Sequence, residues 1–216
     1  MKAMIQDRYG VPEDVLELKD IDRPVPRDDE VLVRVRAAGI NPADWAGLRG
    51  EPYVARLGFG LRTPRDRVRG TDVAGTVESV GKNVTSLRAG EEVFGAGSRT
   101  LAEYAVAKAE TVVPKPANMT FEQAAATPMA GLAALQALRD HGKVRAGQRV
   151  LINGAGGGIG TFAVQIAKAA GVEVTGVCST EKVDLVRSLG ADQSSTTPER
   201  TSRSVPSATT SFSTTW

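Results

Sequence analysis

Residues 154–160 contain five glycines and carry the strongest chemical signal in the sequence. They follow the apolar run 150–153 and precede an amphipathic stretch, a pattern that predicts a strand, a tight turn and a helix. Such a turn leaves backbone N–H groups uncovered at the start of the helix, as a dinucleotide pyrophosphate requires. The residues predicted to contact a cofactor there are Ala155, Gly156, Gly157, Gly158 and Ile159.

The strict G-x-G-x-x-G spacing fails in this turn, because its first position falls on Ala155. A glycine turn that serves only the packing of a helix on a strand is therefore the alternative. Dinucleotide binding is favoured because a second apolar strand, residues 172–178, ends about 20 residues after the turn.

The end of that second strand predicts which dinucleotide is preferred. Domains that prefer NAD place an acid there, where it bonds the ribose hydroxyls, but this chain has Cys178. The hydroxyl-bearing Ser179 and Thr180 follow, and Lys182 is close in sequence. A small polar turn beside a lysine accommodates a 2′-phosphate, so the sequence favours NADP(H). Glu181 argues for NAD, and a solvated Lys182 without a binding role is the alternative.

The turn belongs to a repeating pattern of strands and helices. Residues 149–153 and 172–178 are predicted strands, and residues 161–170 and 181–189 are the helices that follow them. This alternation is typical of a doubly wound parallel sheet.

The first 118 residues follow a different, β-rich pattern. Glycines and prolines separate short runs of strand character, which predicts a small barrel or sandwich. The four predicted strands are residues 31–37, 73–81, 92–95 and 102–106. Between the two halves, Thr120 and Gln123 have capping-box spacing and predict a helical segment, interrupted at Pro128.

Together these segments resemble a known family. Residues 147–151, the glycine turn, Gln165 and Lys168 are similar to the signature of the quinone oxidoreductases (zeta-crystallin), a branch of the medium-chain dehydrogenase/reductase superfamily. Further motifs of the resemblance are residues 38–44, 70–75 and 124–131. The resemblance runs from Met1 to about Asp192. It implies a GroES-like catalytic domain, a Rossmann domain with substrate bound between the two, and homodimers for intact members.

The resemblance also implies where substrate is activated. Asn41 lies near the reactive centre in the family, where its amide can donate to a carbonyl or enone oxygen. Asp44 follows at helical spacing, where an ordinary helix-start acid is the favoured role and orienting Asn41 is the alternative. Tyr53 offers a phenolic donor or a packing group, and Thr127 is expected to line the nicotinamide pocket. The family commonly has threonine where this chain has Ala133, so one expected cofactor contact is missing.

The same comparison of motifs argues against zinc. Zinc-dependent relatives have a cysteine at the position of Asn41 and a Gly-His-Glu triplet at the position of Gly70, Thr71 and Asp72. Catalytic zinc needs about three nitrogen, sulfur or oxygen ligands. Asp44 and Asp72 have no imidazole or thiolate beside them, so we expect a zinc-free protein.

Composition excludes other protein classes. The 27 basic and 25 acidic residues give a net charge of +2, too small for a nucleic-acid or membrane-surface protein. The arginine-rich stretch 56–69 is interpreted as a solvated loop bordering the cleft. Single Cys178 and His141 residues exclude a disulfide framework and a histidine-rich metal centre. Without a signal peptide or an apolar run of ~18 residues, the chain is expected to be cytoplasmic.

Residues 194–216 fit neither half of the chain. Fourteen of these 23 residues are Ser or Thr, which is typical of a disordered, low-complexity tail. The interpretation we favour is a base lost near codon 193. If new codons begin at the third base of each printed codon, the codons of residues 193–198 are compatible with Val-Ile-Asp-Tyr-Thr. This is the usual continuation in the family. In the same frame residues 209–216 permit Tyr-Asp-Val-Ile-Leu-Asp-Asn-Val, which has the form of a buried parallel strand.

The sequence thus predicts an α/β chain in three parts. Residues 1–118 form a GroES-like β-barrel domain, residues 119–192 an incomplete Rossmann domain of two strands, and residues 193–216 a disordered, frameshifted tail. The expected function is NADPH-dependent hydride transfer to a small-molecule quinone, enone or aldehyde, weak or absent in this chain. The alternative is a non-catalytic NADP-binding or interaction protein on the same scaffold.

Overall fold

The structure is a computed structural model that describes residues 1–196 and 210–213. The chain divides into two compact units, Met1–Met129 and Ala130–Trp216. The boundary therefore lies after Met129, whereas the sequence predicts it after residue 118. The physical reason is apolar packing, because Ala124 and Ala125 are buried against Ala74 of the first unit.

The first unit is built on antiparallel strands, and the four predicted ones are present with shifts of one or two residues at their ends. The strands are β1 (Lys2–Gln6), β2 (Leu16–Asp20), β3 (Glu30–Gly39), β4 (Asp72–Val80), β5 (Glu92–Ala96), β6 (Tyr104–Lys108) and β7 (Val112–Pro114). They form a five-stranded sheet in the order β6-β3-β4-β5-β7 and a separate pair, β1-β2.

Alternation of apolar and charged residues explains the core of this unit. Val31 and Val33 of β3 are fully buried, whereas Arg34 and Arg36 are exposed. The buried valines meet Val73 of β4 in one apolar cluster. Period-2 patterning therefore fixes which face of the sheet is covered.

Short helices connect these strands. They are α1 (Pro12–Val15), α2 (Pro42–Arg49), α3 (Arg56–Phe59) and α4 (Phe121–Ala125). The predicted capping box at the start of α4 is confirmed: the Thr120 hydroxyl accepts from the Gln123 N–H at 3.2 Å, and the Gln123 side chain accepts from the Thr120 N–H at 3.0 Å.

The helix that leads into the second unit differs from the prediction at Pro128. Helix α5 (Pro128–Leu135) begins at this proline, where the sequence predicts an interruption. Proline suits the first turn of a helix, because the N–H that it lacks has no partner there in any case. A π-helix, Gln136–His141, continues the segment.

The second unit contains a parallel sheet. Its strands are β8 (Arg149–Asn153), β9 (Glu173–Cys178), β10 (Gln193–Thr196) and β11 (Thr210–Ser213), and its helices are α6 (Gly158–Ala169) and α7 (Val183–Ser188). The strand order is β10-β9-β8-β11, and every neighbouring pair is parallel. Within the described ranges, no helix is long and apolar enough to cross a membrane.

Strands β10 and β11 overturn the expectation that the sheet ends after two strands. The disordered-tail prediction is wrong for residues 193–196 and 210–213, and the rest of that tail lies outside the described residues. Backbone groups at an open sheet edge pair with almost any sequence, and threonine favours strands. Both strands fall within the two segments, 193–198 and 209–216, where the alternative frame permits the sequence of a strand. The frameshift itself stays a prediction.

A buried polar network fixes helix α2, which contains Asp44 and has Asn41 as its N-cap. Gln6 has no exposed surface, and its amide nitrogen donates to the Leu48 carbonyl at 2.6 Å. Its side-chain oxygen accepts from Nε of the buried Arg69 at 2.9 Å. Arg69 in turn donates to the Gly47 carbonyl at 2.9 Å. The network therefore ties β1 to the C-terminal half of α2.

Replacing Gln6 with alanine is expected to destabilise the first unit by about 2–4 kcal/mol, because the Leu48 carbonyl and the Arg69 guanidinium lose buried partners. Urea unfolding measures the loss. The control is Asp20→Ala, which removes an exposed pair with Lys2 and should cost less than about 1 kcal/mol. Equal losses in the two variants would contradict the importance of the network.

Candidate functional site

The glycine turn lies between β8 and α6 and forms one side of a cleft of about 220 Å³ within the second unit. The cleft is lined by Gly154, Gly156, Gly157, Gly158, Ile159, Gly160, Cys178, Ser179 and Lys182. Helix α6 begins at Gly158 with Gly157 as its N-cap, so the first N–H groups of the helix lie at this cleft.

The glycines of the turn serve different physical needs. A Cβ atom at Gly160 would lie 2.1 Å from the Gly154 carbonyl oxygen and 2.7 Å from Cα of Ala155, so the backbone itself excludes a side chain. A Cβ atom at Gly158 would meet nothing within 4 Å. Gly160 is thus required by close packing, whereas Gly158 keeps the space above the turn open. An uncovered helix N-terminus beneath open space fits a dinucleotide pyrophosphate.

The predicted cofactor residues fall into four places. Six of them line the cleft: Gly156, Gly157, Gly158, Ile159, Ser179 and Lys182. Ala155 is fully buried beneath the turn, and Thr180 begins a short 3₁₀ helix, Thr180–Lys182. Thr127 lies in the first unit, where its hydroxyl donates to the Gln123 carbonyl at 2.8 Å. Sequence reasoning left out Gly154, Gly160 and Cys178 as lining residues.

Lys182 lies directly over the glycine turn. Its Nζ donates to the Gly156 carbonyl at 3.0 Å, and a Cβ at Gly156 would be 2.7 Å from Cδ of the lysine. Lys182 therefore places a positive charge at the cleft. Cys178 is buried, and burial raises the pKa of its thiol, so the neutral thiol is favoured over the reactive thiolate.

The first unit holds a second group of polar residues, at the junction of β3 and α2. Asn41 is the N-cap of α2, and its backbone N–H donates to Oδ2 of Asp44 at 2.8 Å. Asp44 thus performs the helix-start role, which the sequence favours over orienting Asn41. The side chain of Asn41 completes the capping box by accepting from the Asp44 backbone N–H, and its Nδ2 donates to Oδ2 of Asp72 at 3.1 Å.

Asp72 lies at the start of β4, and its contact with Asn41 was not predicted from the sequence. It is 2% exposed, and the same Oδ2 also accepts from the Met129 backbone N–H at 3.1 Å. Burial raises the pKa of the Asp72 carboxyl, the two hydrogen bonds oppose that rise, and the nearby Asp44 carboxylate adds to it. The Gly-Thr-Asp triplet was the available signal, but spacing alone does not give its partner.

Tyr53 and the arginine-rich stretch are placed on the same unit. Tyr53 is 72% exposed, with the Arg56 guanidinium 4.7 Å from the centroid of its ring. Its role as a donor stays a prediction. The interpretation of residues 56–69 as a solvated loop is wrong for Arg69, which is buried in the Gln6 network, whereas Arg62, Arg65 and Arg67 are exposed.

A unit of antiparallel strands followed by a parallel sheet with a glycine turn defines the two-domain architecture of a medium-chain dehydrogenase/reductase. Comparison with known proteins agrees. The family model described as "Alcohol dehydrogenase GroES-like domain" matches residues 27–117, and "Zinc-binding dehydrogenase" matches residues 158–210. The second match ends at residue 210, whereas the resemblance was predicted to end at about Asp192.

Individual relatives identify the branch of the superfamily to which the chain is similar. The chain is 37% identical over 218 residues to the chloroplastic quinone-oxidoreductase homolog of Spinacia oleracea, covering 96% of this chain and 65% of that protein. The solved quinone oxidoreductase of Coxiella burnetii is 35% identical with a TM-score of 0.81, over 90% of this chain and 62% of that one. A mycobacterial protein solved with NADPH is 30% identical with a TM-score of 0.79, over 92% and 58%.

The chain belongs to the medium-chain dehydrogenase/reductase superfamily, in the branch of the quinone oxidoreductases. It spans less than two thirds of the length of each of these three relatives.

The donor set at the first-unit site does not fit the zinc that the name of the second family model implies. Oδ2 of Asp44 and Oδ2 of Asp72 already accept N–H groups of the protein. In residues 1–196 and 210–213, no three His, Cys, Asp or Glu side chains converge as metal ligands. Three such ligands are the usual minimum for catalytic zinc, and Asp44 and Asp72 supply only two carboxylates.

The two kinds of glycine predict opposite outcomes for alanine substitutions. Gly160→Ala is expected to destabilise the second unit by roughly 2 kcal/mol or more, because its Cβ collides with backbone. Gly158→Ala should leave the unfolding temperature nearly unchanged while its methyl group weakens NADPH binding, since that methyl occupies the open space. Thermal unfolding and calorimetric titration with NADPH measure the two effects. Similar stability for both variants would contradict the packing argument.

The raised pKa of Asp72 predicts a pH-dependent stability difference. The folded protein holds this proton more tightly than the unfolded chain does, so ionising Asp72 lowers stability as the pH rises through its folded pKa. Asp72→Asn removes that ionisation and keeps an acceptor oxygen. We expect the stability of D72N relative to the native protein to increase as the pH rises above about 4, where an ordinary aspartate ionises. Denaturant unfolding at several pH values measures this difference, and a constant difference would show that burial does not disfavour the carboxylate.

Proposed function

We propose that the chain is the core of an NADPH-dependent oxidoreductase that transfers hydride to a quinone, enone or aldehyde. The single observation that carries the proposal is the cleft at the glycine turn, where free helix N–H groups and the Lys182 ammonium surround open space. Membership in the quinone oxidoreductase branch and the NADPH complex of a structural relative support it.

The residues of the cleft divide the work of holding the cofactor. The backbone N–H groups of Gly158 and Ile159, at the start of α6, suit the pyrophosphate. Ser179 and Lys182 suit the 2′-phosphate of NADP, since the lysine can exchange its bond to the Gly156 carbonyl for a charged partner. When bound, NADPH supplies the hydride from C4 of its nicotinamide ring.

Asn41 supplies the polar contact that the substrate needs in this proposal. Its Nδ2 carries two hydrogens, and Asp72 accepts one of them. The second can donate to a quinone or carbonyl oxygen and stabilise the negative charge that develops there. Tyr53 is proposed as an additional donor and Asp44 as the residue that holds the start of α2, while homodimerisation, expected for intact relatives, stays a prediction.

The first test is whether the protein oxidises NADPH when 1,2-naphthoquinone is added, followed by absorbance at 340 nm. Turnover that requires both compounds supports the proposal, and its rate measures the weak activity expected from the sequence. Tight NADPH binding without any oxidation would instead favour the non-catalytic alternative. Absence of both binding and oxidation would overturn the proposal.

Lys182 gives the test of cofactor preference. Lys182→Ala is expected to weaken NADPH binding about 10-fold or more, with little change for NADH, because the 2′-phosphate loses a charged partner. The charge-preserving control Lys182→Arg should retain the preference. If Lys182→Ala weakens both cofactors equally, the lysine serves the pyrophosphate, and the assignment to the 2′-phosphate is wrong.

A further inference from the structure

The buried carboxylate of Asp72 joins two elements that are far apart in the sequence. Its Oδ2 accepts from Nδ2 of Asn41, the residue before α2, and from the backbone N–H of Met129, in the first turn of α5. Gly39 leaves room for Asp72 and for the backbone of Ala125 to lie close to β3. A Cβ at position 39 would be 3.0 Å from Cβ of Asp72 and 2.5 Å from the Ala125 carbonyl oxygen.

This contact determines which way the Asn41 amide faces. A carboxylate only accepts hydrogen bonds, so it selects the rotamer in which the nitrogen of the amide, and not its oxygen, lies against it. The opposite rotamer would place Oδ1 of Asn41 against a negative oxygen. The amide therefore keeps its second N–H bond in a fixed direction, and no acceptor in the described part of the chain takes it.

We propose that Asp72 is a positioning residue, which holds the Asn41 amide as a directed hydrogen-bond donor toward the oxygen of the substrate. This inference rests on the proposed function, because it assigns Asn41 the role of substrate donor. Asp44 acts at the other end of the amide: in the capping box its backbone N–H donates to the Asn41 side chain, and its Oδ2 accepts the Asn41 backbone N–H. Asp72 is the group that engages Nδ2. The competing explanation is that Asp72 serves only to cap α5 through Met129.

The direct test follows the Asn41 side-chain amide by NMR in the uniformly ¹⁵N-labelled protein. Asp72→Ala should speed exchange of these amide protons with water about 10-fold or more, because a hydrogen bond to a charged group is lost. Asp72→Asn, which retains an oxygen for both donors, should stay within about 3-fold of the native rate. If Asp72 acts only as a cap, Asp72→Ala lowers stability and leaves the Asn41 exchange rate unchanged, which would overturn the proposal.

Asp72→Val repeats the test if the alanine variant does not fold, because valine is a good strand former of similar size. Rapid exchange of the Asn41 amide in the valine variant supports the proposal, and the native rate overturns it.

A kinetic cycle separates this inference from the proposed function. If Asp72 acts through Asn41, Asn41→Ala and Asp72→Ala each lower kcat about 10-fold or more, and the double variant is no worse than Asn41→Ala alone. NADPH binding and its KM should remain within about 3-fold in all three. Fully multiplicative losses would overturn the inference. A third outcome is possible: Asp72→Ala speeds exchange of the Asn41 amide, but neither single variant changes kcat. That result would support the positioning of Asn41 by Asp72 and refute the role of Asn41 as substrate donor.

Discussion

The second unit depends on one close approach of backbone to backbone. Helix α6 crosses the end of β8 so tightly that a side chain at Gly160 would overlap the Gly154 carbonyl oxygen. Because that contact fixes where the helix begins, it also fixes where the uncovered N–H groups lie, next to the end of β9. The cleft, the placement of Lys182 across the turn and the capacity to bind an anion all follow from this geometry.

In the first unit, the comparable constraint is a charge that is removed from water. The Asp72 carboxylate is buried, and an isolated charge in such a place is costly unless donors surround it. Two N–H donors meet one of its oxygens, one from the cap of α2 and one from the first turn of α5. This carboxylate therefore links the first turn of α5 to the amide of Asn41 and constrains how that amide is oriented.

Patterns within a short stretch of sequence predicted those elements that depend on interactions between residues close together in the chain. The alternating valines of β3, the capping box at Thr120 and the glycine turn were each recognised correctly. Edge strands such as β2, with little alternation in burial, were missed. Strands β10 and β11 were missed because their Ser and Thr residues do not signal burial, whereas the open edges of a parallel sheet supply their pairing. The contact of Asp72 with Asn41 spans 31 residues and depends on tertiary packing, which spacing cannot show.

The central claim is that the turn between β8 and α6 binds the pyrophosphate of a nicotinamide dinucleotide. A crystal structure of the protein grown with NADPH tests it most directly. The account predicts pyrophosphate oxygens about 3 Å from the backbone nitrogens at the start of α6, with Lys182 turned from the Gly156 carbonyl toward a phosphate. A nucleotide bound away from this turn, or an empty turn at saturating NADPH, would contradict the account.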